Sequence, residues 1–167
     1  MAEPSGSDDE ILAVFRDSRF RWYLASRFFA GTAMMLLRTA VSWHVYDLSQ
    51  SAFQLGMIGL IQFLPVLPLS LVAGAVADVV DRRRLLLIAQ IVPLLCSLAL
   101  CLATLSGGVR LPVLYVAIAL AAIASVFESP ARASILPQLV PRALFPRAVT
   151  VSSTALWLAF ATGPMLM

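Results

Sequence analysis

Lysine is absent from this sequence, and charge of either sign is scarce. Only 13% of the 167 residues are charged, and all twelve basic residues are arginine. A soluble domain keeps about a quarter of its residues charged to cover its surface. With 60% hydrophobic residues and a mean hydropathy of +0.91, the composition indicates a protein whose solvent is lipid. The net charge of +3 then indicates arginines collected on one membrane face rather than a nucleic-acid site.

Residues for enzyme or metal chemistry are equally few. There is one histidine, and the sequence contains no HExxH, CxxC or GxSxG pattern and no phosphate-binding glycine loop. The two cysteines, Cys96 and Cys101, lie in one apolar run and point in different directions from one helix, so they do not pair easily. The sequence therefore predicts no enzyme, no metal site and no cofactor.

Five apolar runs each approach the length of about 20 residues that a helix needs to cross a bilayer. They cover residues 22–46, 55–77, 85–105, 112–127 and 148–167. Most links are short, but in residues 128–147 four prolines are expected to prevent one continuous helix. We predict an all-α, polytopic membrane helix bundle, with a cytoplasmic N-terminal tail over residues 1–20 and a partial half-bundle of about five transmembrane helices over residues 21–167.

Arginine placement predicts the orientation of this bundle. Ten of the twelve arginines lie in the N-terminal flank and in the second and fourth links. Because basic residues collect on the cytoplasmic side, these segments and the N-terminus are expected there. The fifth helix would then end on the outer side. It ends in apolar residues without a polar flank, so we expect the chain to be part of something longer.

The segment from Gly74 to Arg84 concentrates charge between two apolar runs. It holds two acids, one of them Asp78, and the three arginines at positions 82–84. We expect a tight cytoplasmic turn between the second and third helices. Glu128, at the end of the fourth run, is level with these arginines. Ion pairing with one of them and simple solvation both remain open.

The first run carries an arginine, Arg38, at a depth where lipid contact costs at least about 2.5 kcal/mol. Arg38 shares a helical face with Arg27, Gly31 and Ser42. Either Arg38 faces a water-filled cavity and meets an anionic substrate group, or it lies near the outer edge and snorkels to the interface. We expect Arg27 to snorkel towards the cytoplasm. Gln62, in the second run, either hydrogen-bonds a substrate or contacts a neighbouring helix.

The pattern Gly74-x-x-x-Asp78-x-x-x-Arg82-Arg83 resembles the loop signature of the major facilitator superfamily. That signature runs glycine, three residues, aspartate, a basic residue, any residue, glycine and two basic residues. The chain keeps the first glycine, the aspartate and the closing basic pair. It differs at position 79, a valine, and at position 81, an aspartate.

Two further stretches resemble one branch of that superfamily. Residues 43–56 look like the first outer loop of the branch that contains enterobactin exporters, and residues 128–141 look like its link between helices four and five. Gly163 and Pro164 stand where exporters carry a glycine-proline motif in helix five. The resemblance extends over nearly the whole chain from Phe20.

The resemblance implies a twelve-helix fold in two halves, of which this chain supplies at most five helices. It implies a secondary exporter in the inner membrane that is driven by proton exchange and carries a siderophore-like or drug-like molecule. In the family the loop is a gating latch, so Asp78 would cap a helix of the second half, and Arg82 or Arg83 would pair with Glu128. Its partners would be the lipid bilayer and the missing C-terminal helices.

These implications make the chain an incomplete N-terminal portion of a transporter, which is not expected to transport by itself. An alternative is a short membrane scaffold, or a half-transporter that assembles with itself or with a separate partner half. A membrane enzyme is a third hypothesis, which the missing catalytic residue sets disfavour.

Overall fold

The computed structural model describes residue 15 and residues 17–165, without the side chains of residues 77, 78 and 164. Most of the predicted cytoplasmic tail, residues 1–20, therefore lies outside the described residues, as do the last two residues of the fifth apolar run. The division into a tail and a partial half-bundle stays a prediction.

The described chain is helical, with no β-strand in residues 17–165, which confirms the all-α prediction. The five long helices are α1 Ser18–Ser49, α2 Ala52–Val79, α3 Arg82–Leu105, α4 Leu111–Leu139 and α5 Phe145–Met165, with a short 3₁₀ turn at Arg142–Leu144. Each predicted apolar run lies largely within one of these helices. The helices extend beyond the apolar runs at most of their ends.

The link between α3 and α4 shows how glycine ends a helix here. Gly107 has φ +67°, a left-handed conformation that glycine adopts without steric cost. Its N–H donates to the carbonyl of Thr104 at 3.1 Å, and the N–H of Gly108 donates to the carbonyl of Ala103 at 3.0 Å. This pair of bonds is the Schellman arrangement, which satisfies carbonyls left open at a helix end. Residues 106–110 therefore form the short link between α3 and α4.

The proline-rich link is shorter than the sequence predicted. Helix α4 continues through Pro130 and Pro137 to Leu139, so residues 128–139 are helical, and the interruption lies at residues 140–144. Each proline removes one backbone donor without ending the helix, as in membrane helices whose neighbours and local adjustments satisfy the freed carbonyl. Pro146 lies in the first turn of α5, where its missing N–H costs little.

The helices divide into two compact units, each with its own apolar cluster. One unit comprises the described residues up to Leu36 together with those from Ala133 onwards. Its core joins the start of α1, the end of α4 and the start of α5, and consists of Phe20, Tyr23, Leu136, Val140 and Ala148.

The second unit comprises Leu37–Arg132. In it, Leu85 near the start of α3 packs with Ala131 of α4, which is fully buried. Val76 near the end of α2 and Phe127 of α4 pack against this pair. The cluster therefore holds three helix segments together around the α2–α3 link.

Large apolar side chains cover much of the surface of these helices. Leu71 on α2 is 82% exposed and Trp157 on α5 is 70% exposed, which suits a lipid solvent and not water. Four helical stretches in the described chain are long and apolar enough to cross a membrane: Ala52–Val76, Arg82–Leu105, Leu111–Leu139 and Arg142–Gly163. Helix α1 has sufficient length but is less apolar, and it is not among these four.

Candidate functional site

The charged segment between α2 and α3 is mostly helical rather than a long turn. Helix α2 runs to Val79, so Gly74 and the backbone of Asp78 belong to its last turns, and only residues 80–81 connect it to α3. The predicted turn from Gly74 to Arg84 is therefore wrong in extent. Two residues suffice because both neighbouring helices keep their hydrogen bonds almost to the link, where the N–H of Val80 still donates to the carbonyl of Val76.

Asp81 caps helix α3, a role that the sequence reasoning missed. Its side-chain Oδ1 accepts the backbone N–H of Arg83 at 2.9 Å, which satisfies one of the open donors at the helix start. The aspartate that interrupts the family signature at this position is thus explained by helix capping. An acid followed directly by a predicted helix start was the available signal.

The arginines at positions 82–84 form the first turn of α3 and are exposed. Cations at a helix N-terminus oppose the helix dipole, and the Asp81 carboxylate offsets part of that cost. The side chain of Asp78 lies outside the described residues, so its predicted capping of another helix stays a prediction.

Glu128 forms an ion pair within helix α4. The Arg132 Nε–H donates to Glu128 Oε1 at 2.6 Å, and the two residues are one helical turn apart. The predicted pairing of Glu128 with Arg82 or Arg83 stays a prediction beside this contact. Because α4 extends beyond Pro130, Glu128 lies inside a helix and not at its end.

Arg132 is the most enclosed charge in the described residues. It is only 4% exposed, and its two terminal nitrogens, Nη1 and Nη2, are buried without an acceptor among the described residues. A buried cation normally has its donors paired, because an unpaired charged donor is costly. The sequence reasoning placed Arg132 only in a cytoplasmic link. The spacing of four from Glu128 was the missed signal, obscured by the assumption that Pro130 ends the helix.

Helix α1 places its polar residues in different surroundings. The Arg27 Nε–H donates to the backbone carbonyl of Ser152 on α5 at 3.2 Å. The expectation that Arg27 snorkels to the cytoplasm stays a prediction beside this contact, which ties part of its guanidinium to a neighbouring helix. A Cβ added at Gly31 would lie 3.0 Å from the Cβ of Ala159, so this part of the predicted face is a close helix–helix contact.

Arg38 is half-buried, and its Nε is buried without an acceptor among the described residues. The hydroxyl of Ser42 donates to the backbone carbonyl of Arg38 at 2.8 Å. Gln62 is half-buried on α2, and its side chain has no hydrogen bond within the described part of the chain. Both are polar groups that could meet a ligand, and their assignment to a substrate site stays a prediction.

Gly163 lies at a close approach of α1 and α5. A Cβ at this position would be 2.6 Å from the Cβ of Met35 and 3.4 Å from the carbonyl of Thr32. Only glycine fits, because a distance under 3.0 Å to a rigid Cβ forces the helices apart. The side chain of the neighbouring Pro164 is not described. The resemblance pointed to Gly163, but its contact with α1 is visible only in the structure.

A hydrogen bond missed by the sequence reasoning joins the first turns of α2 and α4. The Tyr115 hydroxyl donates to the backbone carbonyl of Gln54 at 3.2 Å and also contacts the side-chain Oε1 of the same residue. Tyrosine hydroxyls that are partly buried usually find such a partner. The contact fixes the relative height of the two helices at the end opposite Asp81.

The unit Leu37–Arg132 therefore contains the capped, arginine-rich link and the buried ion pair, and the other unit contains the close contact between α1 and α5. In the described residues no group of histidine, cysteine or acidic side chains is arranged to hold a metal. The model of the transmembrane secretion effector family matches residues 10–167. The chain belongs to this family of the major facilitator superfamily.

Membership makes the chain a multi-pass membrane protein of a transporter family and not an enzyme, in agreement with the four apolar helices. The chain is also similar to the staphyloferrin A transporter of Staphylococcus aureus (strain NCTC 8325 / PS 47), with 29% identity over 147 residues. That alignment covers 87% of this chain and 37% of the relative, so the chain spans well under half of the relative's length. No solved structure matches the chain.

Proposed function

We propose that these helices form part of a secondary active transporter that exports a small molecule through alternating access. The observation that carries the proposal is the family match over residues 10–167. Four helices apolar enough to span a membrane support it. In such transporters the substrate lies near the membrane midplane, between two helical halves that rock against each other. The present helices would supply one wall of that pathway, and further helices of the same protein would supply the other.

The orientation in this proposal places the N-terminus and the α2–α3 link in the cytoplasm, with the protein in the inner membrane. Ten of the twelve arginines fall on the proposed cytoplasmic side, including the exposed residues at positions 82–84. A cysteine-reactive, membrane-impermeant label tests the orientation in intact cells. Cysteine at position 83 should stay unlabelled until the cells are opened, whereas cysteine at position 110 should react from outside. The reverse pattern would refute the orientation.

The α2–α3 link acts in this proposal as a gating latch. Asp78 would cap a helix of the other half, and Arg82 or Arg83 would engage Glu128 when the cytoplasmic side closes. The exposed first turn of α3 and the packing of Leu85 on Ala131 support this, because they bring the arginines to the level of the Glu128 segment. Replacing Asp78 with Asn should lower turnover with little change in substrate affinity. Unchanged turnover in that variant would refute the proposed gating role of the α2–α3 link.

The proposed substrate is siderophore-like or drug-like, and its export is driven by proton exchange. Similarity to a staphyloferrin A transporter supports a siderophore-like substrate. The test uses the complete gene product that contains these residues, expressed in bacteria lacking their own exporters. Intracellular accumulation of a siderophore and of a cationic dye is measured with and without a protonophore.

The proposal predicts lower accumulation of at least one compound, reversed when the protonophore collapses the proton gradient. If accumulation is lowered equally with and without the protonophore, the protein exports the compound but proton coupling is refuted. Unchanged accumulation of every compound, with the protein present in the membrane, would refute export and favour the alternative of a membrane scaffold.

A further inference from the structure

Arg38 carries a charge far from either end of helix α1. It lies twenty residues after Ser18 and eleven before Ser49, which is about 30 Å and about 16 Å along the helix axis. Asp47, the next acid along α1, is about 13 Å away along the axis. Glu128 is paired with Arg132. No described acid therefore balances the charge of Arg38.

Part of the Arg38 guanidinium is buried without a partner among the described residues. A snorkelling side chain puts its guanidinium into the aqueous interface. Here Nε is buried without an acceptor, and the side chain is only half-buried as a whole. Leu37 and Val41, on neighbouring positions of α1, are 8% and 1% exposed. The guanidinium thus emerges at the margin of a packed face, with hydrogen-bond donors still to be satisfied.

The chemistry of the guanidinium limits the partner. Its planar fork matches the two oxygens of a carboxylate in a bidentate pair. One arginine neutralises one carboxylate, whereas a phosphate monoester, with a charge of about −1.5 to −2, would leave excess negative charge in a low-dielectric site. We infer that Arg38 recognises a carboxylate group on the transported molecule. This inference rests on the proposed transport function and adds a substrate class to it.

Binding of matched ligands to the purified complete gene product in lipid nanodiscs tests the inference. The probes are 2-naphthoate, which carries one carboxylate, and its neutral methyl ester, and the dissociation constants are measured by calorimetry. The wild type should bind the acid at least about tenfold more tightly than the ester, as expected for a charge-assisted pair. Arg38→Gln should lose this preference and bind the ester as the wild type does. Arg110→Gln, a change at an exposed link residue, should behave as the wild type.

Arg38→Lys keeps the charge but loses the fork, so its preference for the acid should fall between those of the wild type and Arg38→Gln. This variant decides the question if Arg38→Gln does not fold. Equal binding of acid and ester by the wild type, binding of neither, or an unchanged preference in the Arg38 variants would overturn the inference. None of these results contradicts the proposed transport function, which is refuted only if the accumulation assay shows no export.

Discussion

Removing Glu128 should destabilise the protein far more than removing an ordinary surface charge. Arg132 is 4% exposed, and the only acceptor that the described residues give its side chain is Glu128 Oε1 at 2.6 Å. Glu128→Ala would leave a buried guanidinium with all of its donors unpaired. Breaking a buried ion pair by removing one partner costs about 3–5 kcal/mol, whereas an exposed pair contributes about 0–1 kcal/mol.

The converse change should cost less, and the double change least of all. Arg132→Met leaves Glu128 with a side chain that is 27% exposed, so water still reaches the carboxylate. The double variant Glu128→Leu with Arg132→Met replaces the pair by apolar side chains of similar volume. Such replacements are often neutral or stabilising by about 1–4 kcal/mol. The stability order should therefore run from Glu128→Ala, the least stable, through Arg132→Met to the double variant.

Reversible unfolding in mixed micelles, followed by circular dichroism, measures these free energies. Arg142→Ala is the matched control, because Arg142 is exposed and its loss should change stability by no more than about 0.5 kcal/mol. A Glu128→Ala cost near that of Arg142→Ala would refute the argument. It would mean that Arg132 is paired elsewhere, or that water reaches its terminal nitrogens.

Two further changes test contacts that the structure places at helix ends and crossings. Gly163→Ala should destabilise the protein by about 1–3 kcal/mol through overpacking against Met35. Gly59→Ala, with open space around position 59, should be neutral or stabilising by about 0.4–1 kcal/mol. Thermal unfolding measures both variants, and equal effects would contradict the close approach at Gly163. Asp81→Ala should cost about 0.5–2 kcal/mol through loss of the bond to the Arg83 N–H, and Asp81→Ser should restore most of it. Chemical unfolding checks this pair, and no difference between alanine and serine would exclude capping.

The sequence was sufficient to predict the number and approximate position of the helices. Long apolar runs interrupted by glycine or charge have one stable solution in lipid, because the backbone must satisfy its own hydrogen bonds there. The glycines at positions 107 and 108 marked the end of α3 for the same local reason that the structure shows, the left-handed conformation at Gly107.

The extent of α4 was not predictable from the same local rules. Pro130 and Pro137 suggested a break, yet the helix passes through both. Proline removes one hydrogen bond, a cost that favourable packing of the flanking turns can exceed, as with the burial of Ala131 and Leu136 at 0% and 7% exposure. Because the helix was ended too early, Glu128 and Arg132 were assigned to a loop, and their ion pair was missed. Tertiary packing, which no local pattern reports, decided this part of the site.

Helix α1 is not among the four described helices that are apolar enough to cross a membrane. Its apolar character is too low for it to be counted with the other four, and Arg27 and Arg38 contribute to that. Yet Arg27 contacts Ser152, and Met35 lies against Gly163 further along both helices. These stretches of α1 and α5 therefore run parallel and side by side. The shared stretch covers about 12 Å of α1, and on α5 it lies within the apolar segment Arg142–Gly163. If that segment of α5 spans a bilayer, the neighbouring part of α1 lies at the same depth. Arg27 turns part of its guanidinium towards protein there, which lowers the cost of a charge at such a depth.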